Sequence, residues 1–158
     1  MGKSLIGFGL GTLMAFAGCG GGGEGAGVPL LSGSLAGQWK GQAFTPMFGV
    51  EVLYMGSNLI AIGDGPLNCG SAQRPDPPSG TNAIFEIPTV DVGTYSSVFV
   101  DLLQNKGSFH GVGSNGGLVD ITAVSTTSVA GDISWSYTDG ATGDAYGLSG
   151  SFEVSRCP

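Results

Sequence analysis

The chain has 158 residues, enough for one domain with short extensions, and 41% of them are hydrophobic, so a core is available and simple disorder is excluded. Twelve acids against five bases give a net charge of −7, which argues against nucleic acid and anionic membrane surfaces as partners. Glycine is the outlier at 31 residues; part of the excess is the tract 20–23, and the rest punctuates apolar runs, as in a protein of many tight turns.

Residues 1–19 read MGKSLIGFGLGTLMAFAGC. Lys3 precedes an apolar stretch, 5–17, that falls short of the roughly 20 residues a membrane span needs. The arrangement is that of a secretory signal. Its end, Phe16, Ala17, Gly18 and Cys19, resembles the lipobox of bacterial lipoproteins, with Phe16 where that family usually has Leu. The resemblance implies diacylation of the Cys19 thiol, cleavage before it and acylation of the new amine. Gly20 is not the Asp that marks inner-membrane retention, so the resemblance points to the outer membrane. A rival reading remains: Ala15, Phe16 and Ala17 fit an A-x-A site, whose cleavage would release a soluble chain beginning at Gly18. The expected organisation is a signal peptide at 1–18, a lipidated cysteine with a glycine-rich tether at 19–33, and one domain at 34–158. Taking about 16 residues between Cys19 and Leu35, such a tether spans ~20–24 Å.

From Ser34 onward the pattern is β. Candidate strands are 39–44, 50–54, 59–62, 83–87, 98–103, 108–112, 119–123, 133–137 and 148–154. The clearest has Ile133, Trp135 and Tyr137 alternating with serines, which places the large residues on one face. Leu148, Phe152 and Val154 share a parity in the last. In 98–103, Val98, Val100 and Leu102 share one face, while Phe99 and Leu103 make the other apolar too. Hairpin turns are expected at 55–59 and 114–117. The fold expected is a single antiparallel β-sandwich, Greek-key-like, with a small β-barrel as the alternative. Residues 63–82 form a long insertion rich in Pro and Gly, a length at which loops are usually functional or mobile.

The three cysteines are Cys19, Cys69 and Cys157. If Cys19 carries lipid, Cys69 and Cys157 are left to form a disulfide; the soluble reading leaves one odd thiol. A redox or metal pair would want closer spacing or a second ligand pair. The lone domain histidine, His110, has no placed partner in the sequence, and no G-x-S-x-G elbow occurs. The G-x-G-x-x-G match at 111–116 precedes a strand rather than a helix, which is the wrong context for a dinucleotide. The loop 139–144 offers too few acids for calcium. What is left is Tyr137 and Tyr146 flanking Asp139 and Asp144, an arrangement able to stack on a sugar or grip a peptide. The reading is therefore a non-enzymatic envelope lipoprotein without cofactor or metal, held to the membrane by its lipid. Its β domain binds an envelope protein or glycan; the alternative is a lipid or small-molecule carrier with a cavity inside a barrel.

Overall fold

The computed structural model describes residues 29–69, 79–105 and 109–158. The expected signal peptide, Cys19 and most of the tether lie outside them, as does the middle of the long insertion. Among the described residues there are nine strands: β1 (Ala36–Trp39), β2 (Gln42–Phe44), β3 (Phe48–Tyr54), β4 (Ser57–Gly63), β5 (Gly80–Ile87), β6 (Gly93–Asn105), β7 (Phe109–Val124), β8 (Ser128–Thr138) and β9 (Ala145–Arg156). The number matches the expectation through two compensating differences. The expected strand 39–44 is a hairpin, β1–β2, turned at Lys40 and Gly41, both with positive φ. The runs 108–112 and 119–123 are one strand, β7; the turn expected at 114–117 lies inside it, where β6 and β7 slip in register. The other expected hairpin is present, with Met55 and Gly56 both at positive φ between β3 and β4. Two positive φ angles in a two-residue turn match the twist of the strands they join.

The sheet is a closed barrel, not a sandwich. Strands β3 to β9 pair consecutively and antiparallel, and β9 pairs back onto β3. A sandwich needs two sheets with free edges facing each other; here the ring of seven strands leaves no second sheet. Register shifts in β6–β7 and β7–β8 supply the local bends that curl long strands toward closure. Seven is odd, so the first and last strands of an up-and-down ring run the same way. The closing pair is accordingly parallel, and it has only two rungs, Val50 with Ser155 and Glu51 with Arg156.

Below those rungs β3 and β9 diverge, and the chain ahead of β1 fills the gap. Leu31 N donates to Met47 O on one side, and Ser32 N donates to Glu153 O on the other. Gly49 N donates to Pro29 O, so the backbone is tied from Pro29, five residues ahead of the boundary expected at Ser34. This segment crosses β9 at Gly150, where φ is +121° and a β-carbon would stand 2.6 Å from the Ser34 carbonyl oxygen. Gly150→Ala combines left-handed strain with a backbone collision and is expected to lower stability by about 2–3 kcal/mol, read as a shift in the urea midpoint.

The interior is filled by side chains. Trp135, Phe152, Val154 and Leu148 point inward from β8 and β9, as their parity predicts, and are 1–3% exposed. Phe85 and Phe152 meet edge to face with centroids 5.7 Å apart. The Trp135 indole donates to Ser114 Oγ at 3.0 Å, which satisfies its buried N–H. About eight strands make a barrel just wide enough for side chains to fill, so a ring of seven has little room for a ligand. A second apolar cluster lies outside the ring: Val50, Val52 and Ala61 are covered by Leu67 of the long insertion, with Cys157 packed against them. Cys69 and Cys157 are disulfide-bonded, with Cα atoms 5.5 Å apart.

Candidate functional site

The barrel wall opens between β5 and β6. Their ladder runs from Gly80 with Asn105 to Phe85 with Val100 and stops there. The next two rungs, Glu86 with Phe99 and Ile87 with Val98, are not made. Glu86 and Ile87 stay with β4. Before Val100, β6 stays with β7 through two register shifts, and Ser97, inside the first of them, is held at φ +60°. A non-glycine residue in that region costs about 1–2 kcal/mol, and such strain gathers where a wall must be re-aimed.

The result is a solvent-open groove of about 510 Å³. It is lined by Ser57, Glu86 and Pro88 on the β4–β5 side, by Ser96, Ser97 and Phe99 of β6, and by Asn115 of β7. Phe99 is 48% exposed. Its ring lies over Gly113, where a β-carbon would stand 2.6 Å from the ring's Cζ, so the missing side chain is what lets the ring lie down. The wall is braced from behind: Tyr95 Oη donates to Asp91 O at 3.0 Å, and Thr94 Oγ1 donates to Asp120 Oδ1 at 2.9 Å. Ser57, Glu86, Ser96, Ser97 and Asn115, by contrast, make no side-chain hydrogen bond among the described residues. Asp101 flanks the ring at the same Gly113, and burial pushes its carboxyl above the usual aspartate range. The groove thus sets hydroxyl groups and one carboxylate, Glu86, among apolar surface around one exposed aromatic ring.

The residues singled out in the sequence lie elsewhere and are close together. Tyr137 and Tyr146 are register partners on β8 and β9, with ring centroids 6.1 Å apart. Trp39 meets Tyr146 edge-on at 5.3 Å. Their polar groups are used to build the hairpin itself. Asp139 Oδ1 accepts from Ala141 N at 2.8 Å, and Asp144 pairs with Lys40 at 3.3 Å. Tyr146 is only 6% exposed, which leaves it little surface to offer a ligand. A smaller groove of about 300 Å³ lies beside this hairpin, lined by Ser134, Ser136, Gly147 and an edge of Tyr146.

Burial raises the Tyr146 phenol above the ordinary value of 10.0; a hydrogen bond to Asp144 and the charges of Asp144 and Asp139 add to this, while Lys40 opposes it. A raised phenol is favoured in its protonated form by the fold. Its contribution is complete below pH 10 and is lost as pH climbs through the folded-state value. Tyr146→Phe is therefore expected to lose stability less steeply than the native chain above pH 10, as followed by denaturant melts across pH.

His110 lies on β7 opposite Gln104, with its side chain exposed. Among the described residues no group of three His, Cys, Asp or Glu side chains is placed to hold a metal. The groove at Phe99 was missed in the sequence, although one signal was present: an aromatic at the wrong parity for the interior of 98–103. A scan against protein-family models finds no match, and searches of curated proteins and of solved structures find none either.

Proposed function

We propose that this is a lipid-anchored envelope protein whose barrel is a binding module, presenting the β5–β6 groove to its partner. The groove carries the reading: unpaired polar side chains and an exposed ring, on a wall re-aimed at the cost of backbone strain, are features that packing alone does not require. A filled interior supports a partner on the outer face over a carrier with its ligand inside. The anchor is supported by cysteine use. With Cys69 and Cys157 joined, Cys19 holds the one remaining thiol of the three cysteines. With the backbone tied at Pro29, about ten residues of chain separate the barrel from Cys19.

Two measurements test this reading. Intact mass of the non-reduced protein should show a chain beginning at Cys19, heavier by its acyl groups, and Cys19→Ser should leave the membrane fraction. A photocrosslinker at Phe99 should then capture a partner in cells that the same group at Ser136 does not. An uncleaved mass would remove the anchor. Equal capture from both positions would remove the groove.

A further inference from the structure

Backbone pairing is not the means by which this groove can hold a partner. The stretch of β6 ahead of Val100 is no regular edge, because two register shifts and the positive φ of Ser97 interrupt it. The connection between β5 and β6 also fills the gap there. Tyr95 Oη donates to Asp91 O and accepts from Asp91 N, and Val90 packs on the core. Ile87 and Val98 face inward and are already buried. Whatever the groove holds is therefore held by its outward side chains.

Those side chains are of three kinds. Phe99 offers an aromatic ring, seated over Gly113 and 48% exposed. Ser57, Ser96 and Ser97 offer hydroxyls, which both donate and accept. Glu86 and Asn115 offer a planar carboxylate and a planar amide, each able to make two bonds at once. One ligand chemistry matches this set. A hexose ring with all its substituents equatorial has faces made only of axial C–H groups and a rim made of polar groups. The C–H hydrogens carry partial positive charge, and the face of an aromatic ring is negative. Neighbouring hydroxyls on the rim suit a carboxylate or an amide that bonds twice.

Charge narrows the sugar. Glu86 lines the groove, and Asp101 lies beside the Phe99 ring at Gly113. Among the described residues the cations are Lys40 and Arg156, and both are paired with carboxylates elsewhere. A uronic acid, sulfate or phosphate would meet like charge with nothing to offset it. The groove's volume of about 510 Å³ suits a small ligand, and its open side lets a longer chain run through. Contacts of this kind give affinity when the groups are already in place, and the bonds of Thr94 to Asp120 and Tyr95 to Asp91 hold that part of β6.

We infer that the groove binds a neutral oligosaccharide of all-equatorial hexose units, one ring stacked on Phe99 and its rim held by Glu86 and Asn115. The inference rests on the binding-module reading and names the class of its partner.

The test titrates the full chain, in a detergent without sugar headgroups, with the hexasaccharide of N-acetylglucosamine. Saturable binding is expected, with amide shifts gathered at 96–99 and at Asn115. Phe99→Ala should weaken it at least about tenfold, whereas Phe99→Trp, which keeps an aromatic face, should retain it. That pair separates lost stacking from lost folding. Glu86→Gln, which keeps the shape and loses the charged acceptor, should weaken binding by about tenfold. The hexasaccharide of glucuronic acid should bind at least about tenfold more weakly than the neutral one. No saturable binding up to the solubility of the sugar, binding undiminished by Phe99→Ala, shifts confined to other strands, or equal binding of the glucuronic acid chain would each overturn the sugar site. So would saturable binding of a lysine–valine hexapeptide at 96–99 without binding of the sugar. In those cases selective crosslinking from Phe99 in cells would still stand for the module. An uncleaved, unlipidated chain that binds the sugar at 96–99 would remove the anchor and leave the sugar site intact.

Discussion

Removing the Cys69–Cys157 bridge is expected to lower stability by about 4–5 kcal/mol. The bridge closes a loop of sequence separation 88, and the entropy removed from the unfolded chain grows with the logarithm of that length. The site of the bridge adds to the effect. Cys157 follows the last residue of β9, and its backbone N–H donates to Glu51 O at 2.8 Å, continuing the two-rung pairing that closes the barrel. It also packs on the outer apolar cluster that Leu67 covers. Opening the bridge frees the insertion and the end of the closing strand together. Urea melts of Cys69→Ser/Cys157→Ser beside the oxidised protein measure the difference. A loss below about 1 kcal/mol would mean that the unfolded chain is already compact around this loop.

Arg156→Met is expected to cost about 3–5 kcal/mol. Glu51 points into the barrel from β3 and is 2% exposed, and Arg156 Nε reaches its Oε2 at 2.9 Å. The guanidinium also donates through Nη1 to Ser125 O, so it ties the β7–β8 turn to the seam. Removing the cation leaves a carboxylate in the wall with no charge to face. Removing both, as Glu51→Leu/Arg156→Met, should recover much of the loss, because a buried pair replaced by apolar groups of similar volume is often close to neutral. Lys40→Ala is the contrast. Its partner Asp144 lies at 3.3 Å, but the lysine side chain is 52% exposed, and the expected cost is under about 1 kcal/mol. A double variant as unstable as Arg156→Met would show that lost packing, not an orphaned charge, sets the effect.

These two effects meet at one place. A meander of seven strands closes through a parallel pair, and parallel pairing is slightly weaker per residue. Two rungs would hold poorly alone. The chain ahead of β1 on one side, and the ion pair and disulfide on the other, reinforce the join.

Alternation was enough to read most of the wall. Ile133 and Trp135, and Leu148, Phe152 and Val154, lie on the inner face because a period of two leaves no other way to bury them together. The disulfide followed from counting cysteines once Cys19 was set aside. The sequence by itself therefore determined an all-β domain and the inward residues of its late strands, and it offered the pairing of Cys69 with Cys157 on the reading that sets Cys19 aside. Tertiary structure decided the rest. Alternation in and out is the same for a sandwich and a barrel; the difference lies in whether the last strand meets the first, a contact between Val50 and Ser155 that no local pattern encodes. The groove has the same origin. Phe99 shows in the chain only as an aromatic of the wrong parity, and Ser97 and Gly113 show nothing; they become a site only where β6 leaves β5 and one missing β-carbon lets the ring lie down.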